Sequence, residues 1–241
     1  MIRILTDSAS DLTATDSARP GVYTVPLSVT FADGTGGLDG VELTADEFYA
    51  HLKVDKVPPR TSQPSPQSFM TIFEDAKENG DQVIAILISS NLSGTYQCAR
   101  LAAESCDFED VFFVDSRTAS QGEAILVREA LRLRDEEHLP AHAIVAELEQ
   151  LKQRIRVLAV VDSLKHLQKG GRLPAAVAIV GGALGIKPVL ALFDSEAQAR
   201  QAREQVDGIT DYLLKPLRFE ELQHTLSQRL LLQESDKGAE F

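Results

Sequence analysis

The chain has 241 residues, 44% of them apolar, which is enough for one large core or two moderate ones and excludes bulk disorder. Its formal charge of −12 argues against phosphate backbones and anionic membrane surfaces as partners, because both select basic patches. A neutral small ligand or a basic partner fits the charge better. Cys98 and Cys106 are the only cysteines, and neither number nor spacing suggests a zinc site or a disulfide framework. Two free thiols in a reducing cytosol are expected. MIRILTDSAS at the start has a strand pattern with acids where a secretion signal needs a basic region and a longer apolar core, so the expected location is cytoplasmic. The most apolar stretch, Leu173 to Ile186, has 14 residues including three glycines, too short to span a bilayer.

In chain order, Ile2 to Thr6 reads as a strand. Tyr23 to Phe31, followed by glycine-rich Asp33 to Gly40, reads as a strand and turn, a hairpin arm in preference to another helical crossover. The GTGG run at Gly34 to Gly37 lacks the GxxxxGK[ST] pattern of a phosphate loop and is taken as a flexible turn. Thr44 to Leu52 is a helix with Thr44 and Glu47 in capping-box register. Pro66 to Asn79 is a helix ended near Gly80, Val83 to Ile88 a buried strand, Gly94 to Glu104 a helix, and Val111 to Val114 a strand. Ser120 to His138 is a helix with Ser120 and Glu123 in capping-box register, and Ala141 to Arg154 is another. From Arg156 a new unit begins with strand Val157 to Val161, a short helix near Leu164, and the turn Lys169-Gly170-Gly171-Arg172. Strands alternating with helices predict an α/β fold, a parallel sheet covered on both faces, with ligands at the carboxyl ends of its strands.

Three hydroxyl-rich turns adjoin these strands: Thr61-Ser62-Gln63-Pro64-Ser65, Ser89-Ser90-Asn91-Leu92-Ser93-Gly94-Thr95 and Asp115-Ser116. An oxyanion at the second turn would meet unpaired helix N–H groups, the positive end of the helix dipole and the hydroxyls of Ser93 and Thr95. The first turn is built similarly, since Ser65 is a natural N-cap and Pro66 a natural first helical residue. For any one turn taken alone, capping is the plainer account. Gly170 and Gly171 allow a tight turn that fixes Arg172, whose planar fork suits an acyl phosphate or a partner's carboxylate. A helix C-cap with a surface arginine is the competing reading.

Taken together with Ile2-Arg3-Ile4-Leu5-Thr6-Asp7-Ser8-Ala9-Ser10-Asp11, Lys169-Gly170-Gly171-Arg172-Leu173 and Gly185-Ile186-Lys187-Pro188, the turns resemble the DegV family of bacterial fatty-acid-binding proteins from Met1 to about Leu192. The resemblance implies a tunnel for a long-chain fatty acid, with the carboxylate held by Thr61 and Ser93. Ser62, Gly94, Thr95 and Arg172 are further pocket or partner contacts on the same ground. It implies a carrier and not an enzyme, with no catalytic residue, cofactor or metal, and a separate fatty acid kinase as a partner that phosphorylates the bound acid. The expected division is a lipid-binding α/β domain over 1–155, the start of a second domain over 156–193, and a distinct segment over 194–241.

That last segment resembles the end of a response-regulator receiver domain, through Gly208-Ile209-Thr210-Asp211-Tyr212-Leu213-Leu214-Lys215-Pro216 and Arg218 to Leu232. It is expected to form helix, short strand and helix, Tyr212 to Leu214 adding beside Val189 to Leu192. The family's glycine-rich histidine segment is not matched by His51, His138, His142, His166 or His224. A full phosphoacceptor set is not matched either: Asp7, Asp11, Asp115 and Lys215 are the nominees, but Asp7 and Asp115 are too far apart in sequence, and Phe193 stands where a hydroxyl is needed. Three readings therefore stand: a fatty-acid carrier, a recombined or engineered DegV/receiver chimera with weakened or lost binding, and a phosphorylation-responsive signalling module.

Overall fold

The computed structural model describes residues 1–55, 57–160, 167, 169–172 and 189–192. The chain divides into two compact units, Met1–Ala159 with Leu190–Leu192, and Val160–Val189 with Phe193–Phe241. The first unit carries nearly all the described residues. Expectations for the helix near Leu164, for Leu173 to Ile186 and for the receiver-like segment fall outside the described residues.

Four strands form a parallel sheet: β1 (Ile2–Asp7), β2 (Val22–Val25), β6 (Gln82–Leu87) and β7 (Val111–Asp115), in the order β2-β1-β6-β7. Its register places Leu5 beside both Tyr23 and Ala85, and Ala85 beside Phe113. Successive strand side chains point to opposite faces, and here both faces are covered. Leu5, Val83, Ala85 and Leu87 pack on one side with Phe69 and Phe73 of α3 (Pro66–Asn79) and with Ala99 and Ala102 of α4 (Thr95–Ser105). Ile4, Ile84, Ile86 and Val114 pack on the other with Leu126 and Leu131 of α5 (Gln121–Asp135) and with Ile144 and Leu148 of α6 (Ala141–Leu151). This two-sided burial explains why the run from Val83 to Ile88 is apolar at every position instead of alternating.

The hairpin arm is more elaborate than a strand and turn. After β2 the chain leaves the parallel sheet and builds a three-stranded antiparallel sheet in the order β4-β3-β5, from β3 (Ser28–Thr30), β4 (Gly36–Leu38) and β5 (Arg60–Ser62). Gly36 sits at φ 152° where an added Cβ would run into the backbone of Val29 and Thr30. The glycine-rich run is thus a paired strand as well as a turn. Helix α2 (Ala45–Val54) comes after β4, and the short α1 (Ala14–Ser17) lies earlier in the chain. A small cluster of Val29, Phe31, Leu43 and Phe48 holds the arm together, and the His51 ring stacks on Phe31 at 3.9 Å.

Local signals explain most helix ends. Thr44 and Glu47 form the expected capping box at α2. Ser65 accepts from the Ser68 N–H at 3.2 Å, Pro66 is the first residue of α3, and Gly80 closes it at φ 64°. The capping box expected at Ser120 and Glu123 does not form. Ser120 makes no side-chain cap and sits at φ 55°, ψ −135°, and Glu123 turns inward to accept the Thr6 hydroxyl at 2.9 Å. A partner 117 residues away has overridden the local pattern. Past α6 a 3-10 turn, Lys152–Arg154, leads to β8 (Val157–Val160), which pairs with β9 (Val189–Leu192) in a two-stranded sheet. Among the described residues no helix is long and apolar enough to cross a membrane.

Candidate functional site

The carboxyl ends of β1, β6 and β7 open into three interlocked loops. After β6, Ser89 is buried; its N–H donates to Thr118 O at 2.9 Å, and its own carbonyl accepts from Leu92 and Ser93 at 2.9 and 3.1 Å. This folds residues 89–93 into a tight turn that delivers Ser93 to the start of α4. The Ser93 hydroxyl accepts from the Thr95 N–H at 3.3 Å and shares a hydrogen bond of 2.8 Å with the Thr95 hydroxyl, which is fully buried. Gly94 occupies the N-cap position and offers no side chain to the helix. The leading N–H groups of α4 are therefore uncapped by any residue at that position, the circumstance under which a helix start favours an anion.

Thr61 and Ser62 do not lie at the edge of the parallel sheet, as expected from sequence. They belong to β5 of the arm, where Thr61 pairs with Val29 and Ser62 with Ser28, and both are exposed. The next two residues, Gln63 and Pro64, nevertheless reach the second turn. The side-chain oxygen of Gln63 stands so close to Gly94 that a Cβ there would overlap it. Pro64 is buried, and its carbonyl accepts the Cys98 thiol at 3.4 Å. Burial pushes the Cys98 thiol up, partly offset by Gln63. The two turns thus meet through the pairs Gln63–Gly94 and Pro64–Cys98, one residue class small enough and the other buried enough to permit the approach.

The third turn braces the second. Asp115 accepts the Ser90 hydroxyl at 2.6 Å, the Ser90 N–H at 3.2 Å and the Arg117 N–H at 3.0 Å. Ser116 spends its hydroxyl on Thr118, donating to the carbonyl at 3.2 Å and accepting from the N–H at 3.3 Å. Neither group of Asp115-Ser116 is left for an anion. In the second unit Arg172 ends a tight turn as expected: Gly171 lies at φ 75°, the Arg172 N–H donates to Leu167 O at 2.9 Å and its guanidinium to Gly170 O at 2.6 Å.

Sequence reasoning missed an acid pair beneath these loops. Asp7 and Glu123 are both fully buried. Asp7 accepts the Ala9 N–H at 3.0 Å and the Ile88 N–H at 2.9 Å, yet burial pushes it up to about 6. Burial, and next the Asp7 charge, hold Glu123 well above the usual carboxylate range; its Oε2 has no hydrogen-bond partner. Asp7 stands out in the sequence as the acid that ends an apolar strand, but the pair does not, because Glu123 has the spacing of a capping residue.

Four parallel strands covered by helices on both faces, with the Ser89–Thr95 and Asp115–Ser116 turns at their carboxyl ends, define an α/β protein. The DegV family model, described as an uncharacterised protein of the DegV family, matches residues 1–235, and the chain belongs to that family. The match carries the resemblance past Leu192, where it was expected to stop. The chain is 38% identical over 216 residues to a DegV domain-containing protein of Caldanaerobacter subterraneus subsp. tengcongensis, covering 88% of this chain and 76% of that one. Among solved structures it is similar to a DegV family protein from Thermus thermophilus described by its fatty acid binding, at 36% identity and TM-score 0.70, over 85% of this chain and 75% of that one. It is also similar to a stearic acid-binding protein from Eubacterium ventriosum, at 32% identity and TM-score 0.73, over 80% and 68% of the two chains.

Proposed function

We propose that the chain is a fatty-acid carrier that holds a long-chain acid by its carboxylate between Thr61 of β5 and Ser93 of the turn before α4. The observation that carries this reading is the seating of Gln63 on Gly94, which brings the two hydroxyl-bearing turns into one neighbourhood. Ser62, Gly94 and Thr95 are assigned to the same pocket, and Arg172 to contact with a partner. The energetics suit a carrier: each buried methylene contributes about 0.8 kcal/mol, so the tail supplies most of the affinity and the hydroxyls supply orientation. The fatty-acid binding described for the Thermus and Eubacterium proteins supports the ligand class. On this reading the chain is not itself an enzyme, works in the cytoplasm and presents its cargo to a separate fatty acid kinase.

Mass spectrometry of lipid extracted from the purified chain, followed by titration with a fluorescent fatty acid, tests the proposal. Fatty acid at near-stoichiometric amounts is the expected result, and a chain that neither carries nor takes up fatty acid would refute it. A second reading is favoured by the Gly208 to Pro216 run: a DegV/receiver chimera that folds but binds weakly. It expects the same extraction to yield no lipid from a folded chain. Uptake of phosphate from acetyl phosphate with magnesium would instead favour a signalling module.

A further inference from the structure

The most anomalous group among the described residues is the buried acid pair. Carboxylates are seldom fully buried without a cation, and none of the ion pairs among the described residues includes Asp7, Asp11 or Glu123. Asp7 ends β1 and reaches across to the residue just after β6, where its Oδ2 takes the Ile88 N–H at 2.9 Å. The next residue, Ser89, is the one whose carbonyl receives the Ser93 N–H at 3.1 Å. From the other side of the same turn, the Ser8 hydroxyl accepts the Leu27 N–H at 3.1 Å at the root of the arm that carries Thr61. One short segment after β1 therefore fastens the supports of both hydroxyl turns.

We propose that the buried Asp7–Glu123 pair positions the carboxylate-binding turn, the Asp7 carboxylate holding Ile88 and through it Ser89 to Ser93 in the geometry that receives the ligand. The proposal rests on the fatty-acid reading for the identity of the ligand and on the Asp7–Ile88 contact for the positioning.

The pair has a division of labour. Asp7 needs both oxygens as acceptors, one for Ala9 and one for Ile88, so it does its work as a carboxylate. Two adjacent buried charges are costly, and Glu123 avoids this by keeping its proton, with Thr6 donating to Oε1. The groups that face the pair are Asp11 from the turn after β1, the Ile88 N–H from just after β6, and the Thr6 hydroxyl from β1; Ser120 from the β7–α5 connection is engaged with Asp11, and Asp115 with Ser90. Protonation of Asp7 turns one acceptor into a donor and leaves an N–H without its partner. Lowering the pH through about 6 should loosen the turn.

The test uses the full chain. In the ligand-free protein the amide resonances of Ile88 and Ser89 to Ser93 are followed by NMR from pH 5 to 8, and the expected result is a shared titration with a midpoint near 6. Amides of that segment that stay flat over the range would overturn the proposal, whether or not the chain binds fatty acid. Asp7→Asn should bind a fluorescent fatty acid about tenfold more weakly than the parent at pH 8 and equally at pH 5, because the parent has by then lost the same charge. The ligand's own ionisation is common to both proteins and cancels. Parent-like affinity of Asp7→Asn at pH 8 would also overturn the proposal. Glu123→Gln should keep parent affinity at pH 7 and leave the amide midpoint near 6, while a fall of that midpoint would show a charged Glu123 and refute the shared arrangement. A parent that takes up no fatty acid while its turn titrates as expected would sink the ligand reading and support the positioning role of Asp7.

Discussion

The side-chain oxygen of Gln63 fills the space that a Cβ on Gly94 would need, so the residue two after Thr61 rests against the residue one after Ser93. Gly94 has φ −74°, a value open to any residue, so its requirement for glycine is one of space and not of backbone conformation. Gly94→Ala should displace the flexible Gln63 side chain at little cost to the fold. Stability in urea is expected to stay within about 1 kcal/mol of the parent, with fatty-acid affinity reduced. Gln63→Ala in the same chain should recover part of the lost affinity, because the overlap is gone. Affinity of the single variant equal to the parent would show that the approach of the two turns does not matter for binding.

Ser93→Ala and Thr61→Val remove the two proposed carboxylate donors. Thr61 is exposed on β5, so its loss should leave unfolding unchanged; Ser93 also supports Thr95, so a small destabilisation is expected there. A lost hydrogen bond to a charged group costs about 1.5–3 kcal/mol, which is roughly ten- to a hundredfold in affinity. Titration with a fluorescent fatty acid reads this directly, and undiminished binding by both variants would remove them from the site.

The pH dependence of stability has a definite sign for Glu123. Its folded value lies above its unfolded one, so the folded state binds the proton more tightly and this group's contribution falls as pH rises through the ordinary carboxylate range. Glutamine has no proton to lose. Glu123→Gln should therefore gain stability relative to the parent as the pH rises from 4 to 7, because only the parent has a proton whose tighter binding in the folded state is lost over that range. Urea unfolding of both proteins at the two pH values measures the difference. A gap that does not widen would mean that Glu123 ionises normally in the folded chain.

Thr44→Ala should cost about 1 kcal/mol by breaking the capping box at α2. The loss should be felt in the arm, seen as faster amide exchange over α2, while exchange in β6 stays slow. Equal acceleration in both would mean that the arm and the parallel sheet unfold as one unit.

Local chemistry decides the parts of the fold that are legible in the sequence. Helix α3 is legible residue for residue, because Ser65, Pro66 and Gly80 mark its ends without help from the rest of the chain. The two-sided burial of β6 is legible in its unbroken apolar run. The three residues of β5 are too few to show a period, so Thr61 reads as part of a turn beside the parallel sheet when it lies in an antiparallel strand. Ser120 and Glu123 have the spacing of a capping box, and only the fold shows that Thr6 claims Glu123 instead. The hydroxyls of the candidate site can be found from type and context. The acid pair beneath them cannot, since burial is a property of the assembled sheet.

Thr61 rides on the antiparallel sheet and Ser93 on a loop of the parallel one, and among the described residues these sheets share no strand. A headgroup bound to both would act as a clasp. Its capture would restrict the stretch between Ser28 and Ser62, so part of the binding free energy would go into stiffening the arm. Empty and loaded chains would then differ less in shape than in rigidity.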